Sequence, residues 1–512
     1  TTLTDPAGQT TTYRYDPDGS LDTVRYPDHS ERRYTYTQVT VAGQRQPALL
    51  TGLIDENATP YASWTYDANA RTTSSEHAGG VDRHQLTYQT SGDQITGVTL
   101  THPLNAVSQH SYQAILGVNK VSRSSHPLLP GLSQTYTYDA NGNLSRRTDF
   151  NGRLDTTQHD LSRNLETRRS EATGQAEMRT ISTHWHATWR RPVQRAEPNR
   201  LSTWAYHGDT AAGSPISCAP DPQPLALVCQ HTEQATTDTD GSSGFNATLT
   251  GQPRTWTYRY NEQGQVLSAD GPRTDLVDLT TYRYYDLDDP DPGKRGQLAS
   301  ITNALGQRTE ITAYNEHGQP LTLIDANGSV TTLGYDPRQR LTSRSVNGEV
   351  TTITYDPAGQ ITRITLPDGS HLDYTRDPAH RLIALSDSLD NQIRYTLDAQ
   401  GNRLHEAIHD PAGQLAQTRQ RLYDKLGRLA QEIGARGQVT AYEHDAQGNR
   451  SRITDPLNQQ TLLAYDALDR LRQVTDAAAG QTHYQYDGQD RLRRVTDPRN
   501  LATTYTIDGL GN

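Results

Sequence analysis

Reactive chemistry in this chain would have to come from a few places. His184 and His186, two residues apart, would share one face of a strand and could ligate a metal, but the neighbouring Trp185 and Trp189 suit an ordinary sheet segment. Asp286-Leu287-Asp288-Asp289-Pro290-Asp291, followed by Gly293, sets oxygen ligands at alternating positions, loosely like a calcium loop. Pro290 and Pro292 interrupt it and no bidentate Glu closes it, so a solvated acidic loop is expected. Asp238-Thr239-Asp240-Gly241 carries still less information, and Gly241-Ser242-Ser243-Gly244 lacks the spacing and strand-to-helix setting of a nucleophile elbow, reading as a flexible loop. Cys218 and Cys229 are the only cysteines, too few for a disulfide framework and wrongly spaced for a paired-thiolate zinc site. Recurrent carboxylates such as Asp356 and Asp466 could be drawn as a general acid and base, yet their regular placement in turns accounts for them without chemistry. No nucleophile, base and orienter converge. No catalytic, cofactor-binding or metal residue is therefore assigned; the chain is expected not to be an enzyme and to need no cofactor.

The elements that carry these residues follow from composition. Counting Gly and leaving out Tyr, about 34% of the 512 residues are apolar, against a usual ~45–50%. That is a poor basis for one dense core. A mean hydropathy of -0.83 would suit disorder, but a net charge of -11 is small for this length, and the chain is rich in Tyr and Thr, which disordered segments lack. There are 28 Tyr but only 2 Phe, as if an aromatic with a wet hydroxyl end were selected on sheet surfaces. Acidic residues exceed basic ones, 59 to 48, and the arginines are scattered, which argues against a nucleic-acid partner. No apolar stretch is long enough for a membrane span.

A repeat organises the rest. The second residue of each Tyr-Asp or equivalent pair falls at Asn315, Asp336, Asp356, Asp377, Asp398, Asp424, Asp445, Asp466, Asp487 and Asp508, a period of 21 residues with single departures to 20 and 26. Looser copies occur at Tyr15-Asp16, Tyr66-Asp67, Tyr138-Asp139, Tyr260-Asn261 and Tyr285-Asp286. Each unit reads as two strands and two turns: Thr482, Tyr484 and Tyr486 fall on one strand face, His483 and Gln485 on the other. Asp opens the turn and Gly359, in Asp356-Pro357-Ala358-Gly359, supplies a positive φ. The other strand carries apolar pairs three apart: Leu21/Val24, Leu298/Ile301, Leu321/Ile324, Ile361/Ile364, Leu382/Leu385, Leu471/Val474 and Leu492/Val495. Residues i and i+3 of a regular strand face opposite ways, so either both faces are covered or, the favoured reading, a bulge after the turn realigns them. Hairpins this short need neighbours, so units must pair edge to edge. About 20 units would give about 40 strands, a ribbon that coils because sheets twist and that, closed once, makes a ring roughly 60 Å across.

Tandem Tyr-Asp-x-x-Gly-x-Leu units at this spacing resemble the YD repeats of bacterial Rhs proteins, which are similar to the shells of Tc-toxin C components and of animal teneurins. The middle of the chain fits too: His184-Trp185-His186-Ala187-Thr188-Trp189, Glu197-Pro198-Asn199-Arg200, Arg254-Thr255-Trp256-Thr257-Tyr258 and Asp270-Gly271-Pro272-Arg273-Thr274-Asp275 resemble a segment inside many such shells. The resemblance implies an all-β fold of tandem hairpins wound into a spiral, hollow shell. It implies a structural role, enclosing a C-terminal toxin passenger outside this chain until delivery in a polymorphic toxin. Residues 1–160 are read as irregularly spaced repeats, 161–256 as an insertion-bearing segment within the shell, and 257–512 as regular repeats cut off in mid-unit at Ile507-Asp508-Gly509-Leu510-Gly511-Asn512.

No self-cleaving aspartate motif matches any position, so no family catalytic residue is carried over. Regions beyond Asn512 are expected to close the shell. The resemblance places the protein outside the producing cell, secreted or at its surface, with secretion-system components as further partners. In that exported protein Cys218 and Cys229 are expected to form one disulfide closing a loop with Pro220, Pro222 and Pro224; two unpaired thiols in a loop are the other reading. The alternative function is a cell-surface adhesin whose exposed Tyr and Trp stack on a glycan or protein ligand.

Overall fold

In the computed structural model, residues 1–511 are described except 42, 46, 47, 212, 213, 222 and 509. Pro222 of the disulfide loop, and Gly509 and Asn512 of the terminal segment, lie outside the described residues. Forty-two strands form one sheet in which each strand pairs antiparallel with the next in sequence. Two small two-stranded pairs, Thr40–Val41 with Gln44–Arg45 and Thr210–Ala211 with Ser214–Pro215, lie outside it. Among the described residues the helical segments are the 3-10 turns Ala78–Gly80 and Gly244–Asn246. The sheet runs through residues 161–256 without a break.

The spacing of three between apolar residues is produced by a bulge. Tyr465 pairs with Leu471 while Ala464 pairs with Gln473, so Arg472 is the extra residue and Leu471 and Val474 come to one face. The same one-residue shift follows the turn at Leu21, Leu298, Ile361, Leu382 and Leu492. One pair is out of step: Tyr314 meets Pro320 and Ala313 meets Thr322, so Leu321 is the extra residue and Pro320 and Leu323 take the places expected of Leu321 and Ile324. The proline fills the first strand position, where its ring is tolerated.

There is no dense core. The fully buried side chains of largest volume are Tyr206, Thr180, Asp55 and Ser300, and the buried apolar residues are mostly alanines. The accessible surface is 28452 Å², against about 19,000 Å² for a compact monomer of this mass. The excess is what a wall with two wetted faces requires.

The ribbon winds past its own beginning. His317, in the turn after Arg308–Tyr314, bonds Asp5, in the turn before Thr10–Tyr15, at 2.9 Å. Twenty-three strands of the main sheet separate those two turns. At ~4.8 Å per strand one circuit is about 110 Å round and about 35 Å across, narrower than a single closed ring because the chain makes nearly two circuits.

Candidate functional site

The feature that can act is the wall itself, and its turns and seam are its working parts. The Tyr-Asp turns of the regular repeats share one backbone build. At Asp466 the backbone N–H donates to the Arg470 carbonyl at 2.9 Å, and the Asp469 N–H donates to the Asp466 carbonyl at 3.1 Å. Asp466 Oδ1 takes the N–H groups of Leu468 and Arg470, at 2.9 and 3.0 Å. Its Oδ2 takes Arg470 Nε at 2.7 Å, and that guanidinium reaches on to the Asp487 carbonyl of the next unit at 2.8 Å. Asp336-Arg340, Asp377-Arg381, Asp424-Arg428 and Asp487-Arg491 repeat this clamp. Burial alone would raise the Asp424 carboxyl, but the hydrogen bonds from Arg428 hold it below its ordinary value. Asp356 takes the Gln360 N–H at 2.8 Å and Asn57 Nδ2 at 3.0 Å. These carboxylates are occupied by structure, as their periodic placement indicates.

The tyrosines have a specific task. A bulge disrupts the ladder and leaves a carbonyl beside the extra residue. In unit after unit the Tyr hydroxyl donates to that carbonyl on the preceding strand: Tyr36 to Leu21, Tyr314 to Leu298, Tyr335 to Pro320, Tyr355 to Leu341 and Tyr486 to Leu471, at 2.6–3.1 Å. Where Arg376 replaces Tyr its guanidinium bonds the equivalent Ile361 carbonyl, and Trp185 does the same to Glu166 at 2.7 Å. The hydroxyl ends are therefore bonded rather than wet, and Phe could not serve. Burial pushes these phenols up, Tyr314 to about 12.

The seam between successive circuits joins the turns opposite the Tyr-Asp turns in the first circuit to the Tyr-Asp turns of the second. Asp55, 1% exposed, accepts His380 Nε2 at 2.7 Å across 325 residues of sequence. Glu56, also buried, takes Arg338 at 3.0 Å and Arg32 at 3.2 Å, and Arg338 lies 4.1 Å over the Tyr26 ring. Burial works against the Arg32 charge, yet Glu56 beside it raises its pKa overall. Asp28 pairs with Arg340, and Gln447 bonds Asp149. Farther along, Arg153 pairs with Asp469, Arg179 with Asp490 at 2.8 Å, and the Asp82 N–H donates to the Ala399 carbonyl at 2.7 Å. No local pattern marks these partners, although the recurrence of Arg four residues after Asp was there to be read for the clamps.

The other sequence candidates are held apart. His184 stacks on Phe245 at 3.8 Å and contacts Gln194, while His186 bonds Asp209 at 3.0 Å, takes the Thr188 and Trp189 N–H groups and stacks on Trp189. Each imidazole is committed to a different set of partners. In the 286–293 loop, Asp289 and Asp291 accept backbone N–H groups, Lys294 lies 3.8 Å from Asp291, and Arg295 bonds the Asp289 carbonyl. Asp238 is buried, which raises its pKa with Asp240 adding to the effect, while hydrogen bonds from Ser242 lower that of Asp240. Gly241, at φ +75, packs so closely that an added Cβ would lie 1.9 Å from the Thr180 carbonyl oxygen, so 241–244 is a packed turn rather than a loose one. Cys218 and Cys229 are joined in a disulfide with Cα atoms 5.4 Å apart. His207 lies beside them, one ring nitrogen on the Asp221 carbonyl at 2.5 Å and the other taking the Cys218 and Ala219 N–H groups.

The family model of the RHS repeat matches residues 314–350, 340–371, 355–390, 423–460 and 465–502. Over those residues the chain carries RHS repeats. The chain is also 28% identical over 224 residues to the toxin protein Tse5 of Pseudomonas aeruginosa, an alignment covering 37% of this chain and 16% of that protein. Its fold is similar to that of a chain in the Photorhabdus luminescens Tc holotoxin pore carrying a mutated TccC3, with a TM-score of 0.55, 14% identity, and coverage of 98% of this chain and 26% of the other. The crystal structure of TcdB2-TccC3-Cdc42 is similar at a TM-score of 0.54, 14% identity, and coverage of 97% and 28%. The chain thus spans about a quarter of the solved chains it resembles and a smaller share of Tse5. The structural likeness shows the all-β fold. Among the described residues no helix is long and apolar enough to cross a membrane.

Proposed function

We propose that this chain is part of a wall that encloses a toxic polypeptide passenger, supplied by sequence outside the chain, until delivery. The observation that carries the reading is the seam: a sheet that returns onto its own first circuit and is stitched there by Asp55-His380 and Glu56-Arg338 bounds a space. Antiparallel pairing satisfies the backbone along the wall, so a single sheet can separate inside from outside without a packed core. In this reading residues 161–256 are an insertion-bearing stretch of the wall, and the chain contributes containment rather than catalysis. Export from the producing cell and contact with a secretion apparatus belong to the same proposal, by analogy with the toxin relatives.

The test is protection. In the full-length native protein the passenger should resist added protease while the seam is intact and become digestible when Asp55→Lys and Arg338→Glu are introduced together. Digestion of the passenger in the unaltered protein to the same extent would overturn containment and favour an adhesin.

A further inference from the structure

Among the described residues, one trio of metal-ligating side chains is drawn together: His207, Cys218 and Cys229, whose ligand atoms all lie within 4.8 Å of one another. The two cysteines stand 11 residues apart, which is not a paired-thiolate spacing, and the third member ends a different strand, Arg200–His207. His207 and Cys229 are buried.

The backbone places these residues independently of the S–S bond. Val228 pairs with Tyr206 and Gln230 with Ala205, so Cys229 is the extra residue of a bulge, a position that re-aims its side chain. The Cys218 carbonyl accepts the Tyr260 N–H at 2.8 Å, and shortly before it the Ile216 carbonyl accepts the Gly208 N–H at 2.8 Å. The His207 ring has one tautomer. A carbonyl only accepts, so Nε2, 2.5 Å from the Asp221 oxygen, carries the proton. Nδ1 keeps its lone pair, shared by two long contacts from the Cys218 and Ala219 N–H groups at 3.1 and 3.3 Å. An imidazole whose far N–H is held by a backbone carbonyl is oriented as metal-binding histidines are.

We propose that, once the disulfide is reduced, Cys218, Cys229 and His207 Nδ1 bind one zinc ion. The loop between the cysteines is then pinned by metal in a reducing compartment and by the S–S bond in an oxidising one. Two thiolates and an imidazole suit Zn2+, which takes sulfur at ~2.3 Å and nitrogen at ~2.0–2.1 Å. Tetrahedral angles at those lengths set the ligand atoms roughly 3.6–3.8 Å apart, within the span the trio already occupies. Nδ1 exchanges its two N–H contacts for the metal, and a water molecule completes the coordination. Binding displaces the two thiol protons. Oxidation reverses it: a low-molecular-weight disulfide takes two electrons from the thiolates and leaves, with two protons, as two thiols, while the protein S–S bond forms and the zinc ion departs. The inference is independent of what the wall encloses.

Metal titration of the full chain, reduced and freed of metal, tests it. The reduced chain should take up one equivalent of Co2+, with thiolate-to-metal absorption in the near ultraviolet and the intense visible bands of a tetrahedral site, and Zn2+ should displace it. The chain with its disulfide intact should show neither. His207→Gln should weaken Co2+ binding to the reduced chain at least about tenfold, while intact mass shows that this variant still closes the disulfide on oxidation, so the loop has kept its place. Oxidised glutathione added to the zinc-loaded unaltered chain should release one equivalent of Zn2+ to a chromogenic chelator. Absence of the thiolate band from the reduced unaltered chain, equal affinity in His207→Gln, or the same uptake before reduction would overturn the proposal. Should His207→Gln fail to reoxidise, the bands and stoichiometry of the unaltered chain decide the matter alone.

Discussion

His380 Nε2 lies 2.7 Å from Asp55 Oδ2, although 325 residues separate them in sequence. That contact places one Tyr-Asp turn on the first circuit, and Asp55 also takes the Asn57 and Thr59 N–H groups at 3.0 and 2.9 Å. Asp55→Ala leaves three donors without their acceptor in a buried place. Denaturant unfolding should show a loss of about 2–3 kcal/mol, whereas Asp18→Ala, on the exposed rim, should cost little.

Tyr314→Phe keeps the ring and removes the hydroxyl that donates to the Leu298 carbonyl at 2.6 Å. The expected loss is about 1 kcal/mol. The pH dependence has a definite sign. The folded phenol is raised to about 12 from an ordinary value of 10.0, so the unfolded chain gives up this proton first. The contribution is whole below pH 10 and disappears as pH rises toward 12. Alkaline unfolding of the unaltered chain should be steeper across that window than that of the Phe variant.

The Arg clamps should outweigh surface pairs. Arg470 bonds Asp466 at 2.7 Å with only 13% of its side chain exposed, while Arg499 pairs with Asp497 at 3.0 Å with 79% exposed. Arg470→Met should lower stability by about 1–2 kcal/mol and Arg499→Met by less than about 0.5. Equal effects in thermal melts would show that reaching the next unit's carbonyl adds nothing.

Much of this wall is legible in the sequence, for a physical reason. Period two and turn chemistry are local, so the Tyr484/Tyr486 face, the Asp turns and the bulge between Leu471 and Val474 all leave a trace within a few residues. The pair Leu321/Ile324 was offset by one because the bulge keeps its place relative to the tyrosine, Tyr314 meeting Pro320 as Tyr465 meets Leu471, and there the first position holds a proline. The task of the Tyr hydroxyl was misread as exposure to water, since its acceptor lies on the preceding strand, as with Tyr486 and Leu471. The seam left no trace, because Asp55 and His380 meet only after the accumulated twist of a whole circuit.

Reduction should act locally. Cys218-Cys229 closes a short loop between strands Arg200–His207 and Leu225–Thr236, worth at most roughly 3 kcal/mol in the chain-entropy model. Chain made in an oxidising compartment should take up no alkylating reagent by intact mass until reduced, and its circular dichroism should then be nearly unchanged. Two alkylated cysteines before reduction would contradict the pairing.

The central claim is a hollow wall in place of a packed globule, and small-angle scattering of the 512-residue chain, at dilutions where it is monomeric, tests it most directly. The account predicts a radius of gyration well above the ~24 Å of a compact domain of this length, with a pair-distance distribution depleted at short separations. A radius near that compact value, with the distribution of a solid body, would contradict it.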